Sequence, residues 1–94
     1  MKKYEGIFII KPDLNDENLK AVLGVIEDEI KKSGKVEDVK SWGKKRLSYS
    51  IKKFDEGIYY KIDFDMVPTA LREMERKFRL NDNIIRFMII SKES

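Results

Sequence analysis

Apolar positions along this chain switch between a period of two and a period near 3.6, and each switch marks the border of an element. Residues 4–11, YEGIFIIK, mix aromatic and β-branched side chains and stop at Pro12, which reads as a strand. Asn15 then offers an N-cap, and Asp16 and Glu17 put negative charge at the positive end of a helix. Leu19, Val22, Leu23, Ile26 and Ile30 follow at helical spacing and form one apolar stripe. Lys31 and Lys32 suit the last turn, and Gly34 is expected to close it in the left-handed conformation. A second strand is expected over 36–51, with Gly43 as a bulge or bend. Asp55-Glu56-Gly57 is expected to turn the chain. Ile58, Tyr60, Ile62, Phe64 and Met66 then alternate with Tyr59, Lys61, Asp63 and Asp65, the pattern of a half-buried antiparallel strand. Pro68 opens a second helix with Leu71, Met74 and Phe78 on one face. Asn81-Asp82-Asn83 ends it, and residues 84–90 form the last strand.

The resulting order, β-α-β-β-α-β, predicts an α+β, ferredoxin-like sandwich: a four-stranded antiparallel sheet with two helices on one face. Right-handed crossovers make the first and third strands central. The whole chain, 1–94, is expected to form one such domain. Strand alternation assigns Phe8, Ile10, Phe87 and Ile89 to the helix-covered face. Ile7, Ile9, Ile84, Met88 and Ile90 then fall on the opposite face, near Tyr59. A bare sheet face is normally polar, so an apolar cluster there marks a contact surface. Ile7, Ile9, Trp42, Tyr59, Ile84, Met88 and Ile90 are the candidate interface with a protein partner.

Composition narrows the chemistry. The chain has no cysteine and no histidine, which removes disulfides, thiolate nucleophiles, the usual zinc ligands and the side chain that titrates near neutrality. No apolar run is long enough to span a bilayer and no secretory leader opens the chain, so a cytoplasmic protein without a membrane partner is expected. The net charge of +3 is mild, and its distribution matters more than its size. Residues 40–53, KSWGKKRLSYSIKK, hold six cations and no acid, interleaved with Trp42 and Tyr49. Such a strip attracts a phosphate backbone, although a solvated strand would alternate in the same way. With Lys2, Lys3 and Arg86, the residues Lys44, Lys45, Arg46, Lys52 and Lys53 are the candidate phosphate contacts. Trp42 and Tyr49 are open to two readings, packing on sugar, base or partner, or filling the sheet core. Tyr49 is placed closer to the core because it aligns with Leu47 and Ile51.

Other motifs carry no chemistry. The glycine-containing segments fit neither a dinucleotide fingerprint nor a P-loop. Asp63 and Asp65 share a strand face, which is more simply the solvated side of a strand, or a partner for a neighbouring lysine, than a cation site. No catalytic residue, metal site, cofactor or small-molecule substrate is expected. An RNA-recognition motif needs a base and a stacking ring where Glu56 and Ile58 stand, so that module is disfavoured. Two rival readings of the same fold are a small-molecule-binding regulatory domain that dimerises through its sheet face, and an acylphosphatase. The first leaves the basic strip without a role. The second lacks its phosphate-cradling loop, since Lys11-Pro12-Asp13-Leu14-Asn15 has neither its glycines nor its arginine.

Three stretches carry a resemblance. Lys3-Tyr4-Glu5 opens the first strand and Lys11-Pro12 closes it. Trp42-Gly43-Lys44-Lys45-Arg46-Leu47-Ser48-Tyr49-Ser50-Ile51 is followed by Lys53 and Gly57-Ile58-Tyr59. Arg79-Leu80-Asn81-Asp82-Asn83-Ile84-Ile85-Arg86-Phe87-Met88 spans the helix exit and the last strand. Together these resemble the bacterial small-subunit ribosomal protein six family over essentially the full length. Ser48 and Ser50 depart from that family's usual Ala and Pro, and Lys44 stands where Arg is common. The chain also stops at Ser94, without the long tail of some members. The resemblance implies a non-enzymatic constituent of the small ribosomal subunit. It further implies binding to the central domain of small-subunit ribosomal RNA, and a heterodimer with ribosomal protein eighteen during assembly.

Overall fold

The computed structural model describes residues 1–92; Glu93 and Ser94, the end of the expected domain, lie outside the described residues. Strand β1 runs over Lys2–Ile10, helix α1 over Asp16–Lys31, β2 over Gly34–Ile51 and β3 over Phe54–Met66. A 3-10 turn, Pro68–Ala70, leads into α2, Leu71–Arg79, and β4 covers Ile84–Ser91. All pairings are antiparallel and the strand order is β2-β3-β1-β4, so β1 and β3 are central as expected.

Local chemistry explains the helices. The Asn15 side chain accepts the Asn18 backbone N–H at 2.8 Å, and Asp16 and Glu17 occupy the first turn of α1. Val22, Ile26 and Ile30 are fully buried, with Leu19 and Leu23 packed at the margin. Phe78 of α2 meets Phe8 and Phe87 edge-on at 5.3 and 5.8 Å between centroids, tying the second helix to the sheet. The core lies between helices and sheet and includes Tyr4, Phe8, Ile10, Tyr60, Ile62, Phe64 and Met66.

Three local expectations are corrected. Gly34 is not a left-handed cap: it begins β2 opposite Met66, and a Cβ there would lie 1.9 Å from the Asp65 carbonyl oxygen. Close strand approach, not a positive φ, demands that glycine. Asp55-Glu56-Gly57 is not the turn but part of β3. The chain reverses at Lys52 and Lys53, between the paired residues Ile51 and Phe54. Ile84 lies in the helix-side core, 2% exposed, and not on the bare face. Ile9 pairs with Arg86 but Ile10 pairs with Ile84, so Ile85 is an extra residue that reverses the side-chain alternation of β4.

Gly43 is a bulge, as expected. Its φ is +77°, the β2–β3 register shifts there, and its N–H donates to Ser41 Oγ at 3.3 Å. A larger irregularity follows. Arg46 pairs with Glu56 and Ile51 with Phe54, so four residues, 47–50, face only Asp55.

Candidate nucleic-acid interface

Cross-strand partners share a face, so the register reads the bare side of the sheet row by row. The first row is Lys35, Asp65 and Lys3, and the second is Asp38, Asp63, Glu5 and Ile90. Lys40, Lys61, Ile7 and Met88 form the third, and Gly43, Tyr59, Ile9 and Arg86 the fourth. Polarity therefore changes along the strands. One end is charged; the other is apolar and bordered by the basic arm.

At the charged end the lysines have carboxylate partners. Lys3 lies 3.4 Å from Asp65, Lys35 lies 3.2 Å from Glu37, and Lys92 lies 3.4 Å from Asp63. Lys61 sits between Glu5 at 3.3 Å and Asp63 at 3.4 Å. The hydrogen bond to Glu5, reinforced by the charge of Asp63, holds its pKa above the ordinary lysine value. Lys2 and Lys3 thus lie at the opposite end of β1 from the arm, roughly 20–25 Å away at about 3.3 Å per residue. The structure does not bring them together with the other candidate phosphate contacts.

The arm is different. Lys40, Lys44, Lys45, Arg46, Lys52 and Lys53 make no ion pair among the described residues, and the five from Lys44 to Lys53 in this set are exposed along with Lys40. Asp55, the acid nearest the turn, accepts a hydrogen bond from the Ser50 hydroxyl. The cations also spread around the arm. Lys44 and Arg46 pair with Ile58 and Glu56 on the helix side, while Lys45 pairs with Gly57 on the bare side. Lys45 Nζ rests 5.4 Å from the Trp42 ring centre and 5.9 Å from that of Tyr59. Trp42 is 44% exposed, so it is a surface ring that holds a cation, not a core residue.

Tyr49 corrects the sequence reading most clearly. It is 64% exposed, because the 47–50 bulge carries it out of the alternation that placed it with Leu47 and Ile51. Its hydroxyl accepts a hydrogen bond from Arg86 Nη1 at 3.0 Å, linking the arm to the far edge strand across the bare face. Between them lies an open groove of about 310 Å³ lined by Ile7, Ile9, Leu47, Ile51, Tyr59 and Met88, with Tyr49 and Arg86 at its wall. Ile9 is only 9% exposed and forms the floor, whereas Met88 at 59% and the neighbouring Ile90 stand out from it. Leu47 and Ile51 were missed as groove residues. The available signal was the length of the second strand, eighteen residues against thirteen in its partner, which obliges it to bulge or curl.

No helix among the described residues is long and apolar enough to cross a membrane. The family model described as ribosomal protein S6 matches residues 3–91. The small ribosomal subunit protein bS6 of Clostridium novyi is 43% identical, covering 99% of both chains. The protein of the same name from Geotalea daltonii is 39% identical over 99% of this chain and 73% of its own length. The crystal structure of 30S ribosomal protein S6 from Thermotoga maritima superposes with a TM-score of 0.90 at 31% identity. That match covers 97% of this chain and 87% of the other.

Proposed function

The chain belongs to the ribosomal protein S6 family, and from that premise we propose which parts of it meet RNA and which meet protein. Membership makes it a non-enzymatic component of the small ribosomal subunit in the cytoplasm. It removes the acylphosphatase reading and leaves no support for a small-molecule regulatory domain. In the proposal the chain acts as one ferredoxin-like domain that binds the central domain of small-subunit ribosomal RNA through the β2–β3 arm. It pairs with ribosomal protein eighteen through the apolar groove beside that arm.

One observation carries the RNA assignment: the arm cations have no carboxylate partner among the described residues, while the lysines at the other end of the same sheet do. A cation already neutralised gains little from a phosphate, whereas an exposed unpaired one releases counterions on binding. Lys44, Lys45, Arg46 and Lys53 are therefore the principal contacts, and Lys3 is a structural ion-pair partner. The groove supports the protein assignment because it is largely apolar, lined by exposed Met88 with exposed Ile90 two residues further along β4, and continuous with the arm.

The test is the salt dependence of binding to a central-domain RNA fragment in the presence of ribosomal protein eighteen. With about four phosphate contacts, log affinity falls against log salt with a slope near −3 to −4. A salt-independent affinity would exclude the arm as the RNA contact.

A further inference from the structure

Lys52 and Lys53 form the two-residue turn between β2 and β3, and their φ angles are 51° and 71°. Two consecutive positive φ angles are the signature of a type I′ hairpin turn, which Asn-Gly fills with least strain. Lysine gains nothing from that backbone and is strained by it. A strained pair at a turn tip points to what its side chains do.

Those side chains go to different places. Lys53 lines a hollow with Arg46, Pro12 and the carboxylates Asp55 and Glu56. Lys52 lines an open concavity of about 580 Å³ along β4, together with Arg79 from the end of α2 and Arg86 from β4. Three cations from three separate elements thus converge on one surface. The two arginines are held by uncharged groups: Arg79 lies 5.9 Å from the Phe87 ring centre, and Arg86 donates to the Tyr49 hydroxyl at 3.0 Å. Glu75 also lines the concavity but makes no ion pair among the described residues. The lining therefore keeps a positive balance, three cations against the one carboxylate of Glu75.

We propose that Lys52, Arg79 and Arg86 form a second phosphate-binding site at the β4 edge, and that the strained two-lysine turn persists because Lys52 completes it. This rests on the RNA-binding reading above and extends it around the tip of the arm. The occupant is an RNA backbone. The turn joins this concavity to the side of the arm that carries Arg46 and Lys53, so a polyanion with evenly spaced charges reaches cations on both sides where a short acidic peptide would reach those of one.

The experiment compares full-length variants bound to the central-domain RNA fragment with ribosomal protein eighteen present. Lys52→Asn, which relieves the first of the two positive φ angles and keeps Lys53, should raise Tm by about 2 °C while weakening RNA binding. Arg79→Gln should weaken binding about five- to eightfold at 0.1 M salt and reduce the salt slope by roughly 0.7–0.9, with Arg79→Lys restoring the slope. If Lys44→Gln lowers affinity and slope while Lys52→Asn and Arg79→Gln leave both unchanged, the second site is refuted and the arm reading stands. If Lys44→Gln is silent as well, both fall. A loss of RNA-free binding to ribosomal protein eighteen in Arg79→Gln, with the RNA slope intact, would make the concavity a protein contact and overturn the proposal.

Discussion

Replacing Met88 by aspartate puts a charge where the side chain is already largely in water, so the fold should lose less than about 1 kcal/mol. The same substitution at Ile84 buries an unpaired carboxylate in the helix-side core and should cost about 4 kcal/mol or more. If Met88 rims the protein-binding groove, Met88→Asp should weaken binding to ribosomal protein eighteen at least tenfold with its denaturation midpoint unchanged. Calorimetric titration beside urea unfolding checks both halves, and a destabilised Met88→Asp protein would sink the face assignment. Ile9→Asp is a poor probe of the groove, because Ile9 is buried and its Cγ2 lies where a Cβ on Gly57 would fall. Strict alternation placed Ile84 and Met88 together. Only the bulge at Ile85 separates them, and the adjacent apolar pair Ile84-Ile85, which breaks the alternation, was its one trace in the sequence.

Elements held by local chemistry were legible, and those shaped by partners distant in sequence were not. Helix α1 is legible because its cap, first-turn acids and apolar stripe lie within sixteen residues. The arm was legible as charge but not as shape. A register that skips four residues against one depends on how β3 and the bare face receive it, and that moved Tyr49 from the expected core to the surface. Gly43 is the part of this shape that a single residue controls. Its φ of +77° disfavours any side chain, yet a Cβ there would touch nothing within 4 Å. Gly43→Ala should therefore cost about 1–2 kcal/mol through the backbone alone. It should also lower RNA affinity by displacing the Trp42–Lys45 contact that spans the bulge. Tryptophan fluorescence should then shift on substitution; an unchanged spectrum together with unchanged affinity would show that the bulge does not set the arm.

At the scale of the molecule, charge is divided between a structural part and an open one, and pH should separate them. Glu29 ties the two helices together, with Lys32 at 2.9 Å and Lys77 at 3.4 Å. The Lys32 hydrogen bond, with Lys77 assisting, lowers its pKa below the usual 4.5. A carboxylate whose folded pKa is depressed adds stability above its unfolded value and loses it as pH falls through the folded one. Lys61 works in the opposite sense. Its pKa is raised above 10.5, so its contribution is complete below that value and lost as pH rises through the folded pKa. Between these limits no histidine titrates, so stability should be nearly flat from about pH 5 to 9. Glu29→Gln should lower the plateau and make the acid decline shallower, while leaving the RNA salt slope unchanged because Glu29 lies in the helix layer. Urea midpoints at pH 7, 4 and 3 measure the first effect and RNA titrations the second. A variant that kept the wild-type acid limb would show that Glu29 does not join the helices. One that changed the salt slope would show that the structural and open charges are not separate systems.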